Sequence, residues 1–159
     1  MFKRKNNLFL FVLIVFFAYL LQFKTLIFFN FSPSFLIATF VVLAFLADYF
    51  EFLFLSLFGI FLINFKPGFN FEIILFFLIL QLAYFVLKIF HFENWFALLI
   101  LLTSSIFLFY GFLNYHFILD YPIYFIYDIL ISFIFALILF WSLKDKKILW
   151  EKIFFLKKL

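Results

Sequence analysis

Long apolar runs separated by short polar breaks set the pattern of this chain. The runs fall at 8–21, 35–47, 52–63, 73–87, 95–112 and 124–141. Within each run the apolar residues are continuous rather than alternating. That excludes a transmembrane β-barrel and leaves helices, which satisfy their own backbone groups inside lipid. The first run follows Lys3, Arg4 and Lys5. A basic start and a short apolar stretch resemble a signal peptide, but Gln22-Phe23-Lys24-Thr25 offers no small-x-small cleavage site. The run is therefore expected to remain as a first transmembrane helix, extending toward Phe29, with Lys24 reaching the interface.

The second and third runs are each shorter than the ~20 residues of a spanning helix. As one helix, 35–63 would be too long and would carry Asp48 and Glu51 at its middle. Each carboxylate there would cost about 2.5–3.5 kcal/mol. A tight helical hairpin through 48–51 places both in water instead. The next break, 64–72, contains the only Pro-Gly pair. Lys66-Pro67-Gly68-Phe69 suits a type II turn, with Pro67 fixing φ at the second position and Gly68 accepting positive φ at the third. Asn64, Lys66, Asn70 and Glu72 supply polarity to a reversal that hydrocarbon could not solvate. Further breaks fall at 88–94 and 114–122. A lysine-rich tail, 142–159, follows the last run; its part from 148 to 159 reads as a short amphipathic helix on the membrane surface or as an unstructured basic tail.

The predicted fold is all-α: a polytopic integral membrane protein, a bundle of about six transmembrane helices. It forms a single domain over 1–159 with short basic N-terminal and C-terminal tails. Six crossings put both ends on one side. Ten of the 12 basic residues then fall on that side, leaving only Lys24 and Lys66 opposite. The positive-inside rule makes it the cytoplasm.

Composition agrees. The chain is 70% hydrophobic and 13% charged, against about 45–50% and about 25% for soluble domains. A soluble fold of this size could not hide so much apolar surface. The net charge of +4 resides mostly in the tails, where it meets anionic lipid rather than nucleic acid. The absence of cysteine removes disulfides, thiolate metal sites and thiol nucleophiles. The 36 phenylalanines read as substitution bias rather than as an aromatic cofactor cage.

No catalytic, nucleotide-binding or metal-binding motif occurs, so no catalytic residue, cofactor or metal ligand is assigned. His91 with Glu93, and His116 with Asp120 at i, i+4, are each too few for a metal site and read as solvated loop residues. Asp48 and Glu51 mark the wet end of a hairpin, or pair as an acid and base. Asp128 lies one to two turns inside the last run. Three readings are open: placement near the interface, where a carboxylate gains from the helix dipole; a contact between helices or with a partner; or a transport or catalytic role. Gln81, mid-segment, is a candidate for hydrogen bonding between helices, as are Ser56, Ser132 and the cluster Thr103, Ser104 and Ser105.

From about Ser32 to the Lys144 tail the chain resembles the MreD family of rod-shape-determining membrane proteins. Pro33 leads the second segment, Gly59 lies in the third, and Pro67-Gly68 follow. Asn64 stands where the family outline has an acidic residue. The resemblance implies a non-enzymatic scaffold in the bacterial inner membrane, part of the cell-elongation and peptidoglycan-synthesis machinery. Its implied partners are a periplasm-facing MreC-like protein and other elongation components. Asp128, Asn64, Pro67, Gly68 and Gln81 are the candidate partner or interhelical contacts. The other function classes are a substrate-binding membrane subunit of a small-molecule transporter, for which Asp128, His116 and Asn114 are available, and a small intramembrane enzyme, for which Asp48 and Glu51 speak.

Overall fold

The computed structural model describes residues 5–29, 34–63, 71–90 and 95–156. All regular structure among them is helical: α1 (Lys5–Phe29), α2 (Phe35–Leu46), α3 (Tyr49–Ile63), α4 (Phe71–Phe90), α5 (Trp95–Leu113), α6 (Tyr115–Asp120) and α7 (Pro122–Leu156). Among the described residues four helices are long and apolar enough to cross a membrane, over Leu8–Thr25, Phe71–Phe90, Trp95–Leu113 and Pro122–Leu143. The 12 residues of α2 and 15 of α3 rise about 18 and 22 Å, short of the roughly 30 Å hydrocarbon core. The architecture is that of a membrane-embedded helical bundle, with four helices of spanning length among the described residues.

Helix α2 is the axis of the bundle. Every residue from Phe35 to Ala44 is buried, and the flanking helices wrap it. They meet it through narrow stripes. On α1 the stripe is Phe11, Val15 and Ala18; on α7 it is Phe125, Asp128, Ser132, Ala136, Phe140 and Leu143. These steps of three and four residues are one face of a helix. The opposite faces remain apolar and exposed, as at Phe17, Leu78 and Ile138, because their solvent is lipid.

The chain reverses between α2 and α3 at Ala47–Asp48, since Phe40 meets both Phe52, at 6.1 Å between rings, and Gly59. A Cβ on Gly59 would stand 2.6 Å from Phe40 Cζ, so glycine lets the two helices close at this point. The α3–α4 pair is antiparallel too: Phe52 stacks on Tyr84 at 4.8 Å, and Ser56 meets Gln81. Tyr49 rests against Tyr84 and Phe85, which sets the α2–α3 turn at the end of α4 that carries Lys88. Helix α7 runs alongside α2 in the same sense, with Phe35 against Phe135 and Phe45 against Phe140.

Three sequence expectations change. The break at 114–122 is largely a helical turn, α6, whose first turn is held by the Asn114 side chain accepting from the Phe117 N–H at 3.3 Å. The last helix does not stop at 141; its backbone stays helical to Leu156, so the tail is neither a separate surface helix nor unstructured over that length. Helix α4 runs on to Phe90, with Lys88 in its last turn. Of the 64–72 turn, Asn64, Pro67 and Gly68 lie outside the described residues, as do His91 and Glu93; Glu72 sits in the first turn of α4.

Candidate functional site

Two carboxylates mark the α2–α3 turn, and their geometry is that of a helix start. The Asp48 carbonyl accepts from the Phe52 N–H at 2.8 Å. Glu51 reaches back, its carboxylate accepting from the Asp48 N–H at 3.3 Å. An acidic residue three positions into a helix that satisfies the backbone of the cap residue is half of a capping box.

The opposite end of the bundle holds a more demanding arrangement. A helix leaves its first N–H groups without internal partners. For α2 those groups lie inside protein, where water cannot reach them. The residue before the helix, Ser34, makes no side-chain cap of its own and is buried. Two other helices supply the acceptors. Gln22, on the same face of α1 as Ala18, accepts from the Leu36 N–H through Oε1 at 3.0 Å. Asp128 of α7 accepts from the Ser34 N–H through Oδ1 at 2.7 Å and from the Ser34 hydroxyl through Oδ2 at 2.9 Å.

Asp128 reaches this position because α7 begins at Pro122, a residue whose missing N–H costs nothing at a helix start. Six residues later, about 9 Å along the axis, its side chain points inward between Phe125 and Ser132. Ser132, one turn further on, donates to Oδ1 at 3.0 Å. The Tyr110 side chain of α5 also faces Asp128 and Ser34. Asp128 is fully buried. A carboxylate in such a place is costly unless hydrogen-bonded. Here three donors serve it, and the positive end of the α2 dipole points at it. The carboxylate is an N-cap supplied in trans. Sealed from solvent and occupied by its neighbours, it is better suited to fastening three helices than to taking a proton from an outside molecule.

A second polar contact links α3 to α4. Gln81 donates through Nε2 to the Ser56 hydroxyl at 3.0 Å, and that hydroxyl donates to the Leu53 carbonyl at 2.8 Å. Gln81 Oε1 is buried with no partner among the described residues. The two contacts lie on different helix pairs. His116 and Asp120 are exposed on α6, and among the described residues no three His, Asp or Glu side chains gather as metal ligands.

Family models, curated proteins and solved structures return no match to this chain. Two members of the site, Gln22 and Ser34, carry little signal in the sequence. The signals available are a serine directly before an apolar run, which is a helix N-cap position, and Ser132 one helical turn after Asp128.

Proposed function

We propose that the chain is a non-catalytic membrane scaffold of the MreD kind, in the bacterial inner membrane, serving cell elongation and peptidoglycan synthesis. The observation that carries the scaffold reading is the use of the intramembrane carboxylate: Asp128 joins α7 to the head of α2 through Ser34. The MreD assignment comes from the sequence resemblance. Gly59, one of the residues carrying that resemblance, lies at the close approach of α2 and α3. In this reading α2 and α3 complete six crossings, and both termini and Lys88 face the cytoplasm. The 64–72 turn faces an MreC-like partner in the periplasm.

The test is affinity capture of the tagged protein from native bacterial membranes, with cell shape as the parallel readout. An MreC-like protein should copurify, and Lys66→Glu should weaken its recovery without lowering the amount of protein in the membrane. Recovery of a transporter ATPase pair instead, or normal shape after deletion of the gene, would defeat the proposal.

A further inference from the structure

The C-terminal end of α5 and the short helix α6 enclose an apolar groove of about 450 Å³, whose lining includes Phe107, Leu108, Gly111, Phe112, Ile118 and Leu119. Gly111 is the informative residue. A Cβ there would meet nothing within 4 Å, unlike the one at Gly59. Glycine inside a helix costs about 1 kcal/mol relative to alanine, and here no neighbouring helix uses the space it leaves. The groove belongs to α5, which is long and apolar enough to span, so its surroundings are hydrocarbon. Its walls offer almost no polar surface.

The charge around it is equally specific. From Trp95 to Leu143 the chain contains no Lys or Arg. Asp120 directly follows the lining residue Leu119 and is exposed at the end of α6, whose other titratable side chain apart from the tyrosine is His116. A lipid whose headgroup brings its own cation complements that carboxylate; an anionic headgroup does not.

We propose that the α5–α6 groove is a binding site for one acyl chain of a zwitterionic, ethanolamine-bearing phospholipid, with its ammonium beside Asp120. The tail occupies the notch left by Gly111 and packs on Phe107 and Phe112, and α6 lies at headgroup depth. The site requires only that the bundle be embedded in lipid. It does not depend on the scaffold reading.

The experiment reconstitutes the full chain in nanodiscs doped with phosphatidylethanolamine carrying a diazirine near the end of one acyl chain. Crosslinks are mapped by peptide mass spectrometry. Labelling of Phe54 and Leu57, on the lipid-facing side of α3, serves as the measure of ordinary lipid contact. The groove peptide should be labelled well above that level. Gly111→Phe should lower groove labelling about tenfold, equivalent to withdrawing about two methylenes from the site, with labelling of α3 unchanged. Asp120→Asn should lower the preference for phosphatidylethanolamine over phosphatidylglycerol. Groove labelling no stronger than that of α3, or labelling indifferent to Gly111→Phe, would each overturn the proposal. Absence of label from both places would show that the bundle does not meet lipid tails, and the site would fall with it.

Discussion

Asp128 and Gln81 are both polar, both buried and both on span-length helices, yet they are expected to respond differently to replacement. Asp128→Ala removes the acceptor of three hydrogen bonds and strands the Ser34 N–H in an interior without water. Hydrogen bonds within membranes are often worth under 1 kcal/mol, but an orphaned buried donor costs about 1–3 kcal/mol and bonds to charged groups are the stronger class. The expected loss is about 2–4 kcal/mol, read by reversible unfolding in mixed micelles, with Asp128→Asn intermediate. A loss below about 0.5 kcal/mol, the level of an ordinary surface change, would mean that the trans cap does not hold α2. Gln81→Leu deletes an acceptor that has no partner among the described residues, while Ser56 keeps the Leu53 carbonyl. It should change stability by less than about 1 kcal/mol, and in the stabilising direction if the orphaned oxygen dominates. Gly59→Ala places a methyl against the ring of Phe40, which is fully buried between Phe52 and Phe76. It should cost about 1–3 kcal/mol through overpacking. Adding Phe40→Leu should recover part of that loss; a strictly additive double mutant would refute the contact.

Helix boundaries were legible where local chemistry marks them. Trp95–Leu113 agrees with the predicted 95–112, and Pro122 starts α7 as an N-terminal proline should. The Asp48–Glu51 break is the head of a hairpin, as read, and α3 starts within it at Tyr49, three residues earlier than hydropathy places it. There the capping interaction gives a modest prediction: Glu51→Ala should destabilise by about 0.3–1.5 kcal/mol, visible as a lowered thermal midpoint, with Glu51→Gln retaining most of the stability. An unchanged midpoint for both would remove the cap from the account. Helix α6 went unread because its six residues are too few to display a period. The continuation of α7 beyond 141 went unread because lysines suggest a break in an apolar pattern, although they are good helix formers once the helix leaves the hydrocarbon.

For the molecule as a whole, the reach of the short α2–α3 hairpin across the bilayer sets the number of crossings. The chain contains no cysteine, so a single introduced one reports without background. In the proposed six-crossing arrangement, Asp48→Cys and Tyr121→Cys should react with a membrane-impermeant maleimide from opposite sides of oriented vesicles, and Asp48→Cys should share its side with a cysteine at Lys88. Reaction of Asp48→Cys and Tyr121→Cys from the same side would reduce α2 and α3 to a hairpin that enters and leaves by one face. The structure already separates these residues: Tyr49 packs at the Lys88 end of α4, while Tyr121 precedes the start of α7.

Composition and run length determined the all-helical class and the lipid environment, because the cost of exposing polar backbone in hydrocarbon depends on little else. The polar residues also announced that they are exceptions: Ser56, Gln81, Ser105, Asp128 and Ser132 all lie in apolar runs and are all buried. What they bond was decided only by tertiary structure. In water, hydropathy distinguishes the inner face of a helix from the outer. In lipid both faces are apolar, so the stripe Phe11, Val15, Ala18 looks no different in sequence from the exposed Phe9, Leu13 and Phe17. The central position of α2 was likewise hidden, since a fully surrounded helix and a lipid-facing helix have the same composition. Only the packed bundle shows that the head of α2 ends among other helices, where its N–H groups need acceptors from Gln22 and Asp128, residues 14 and 94 positions away from their partners.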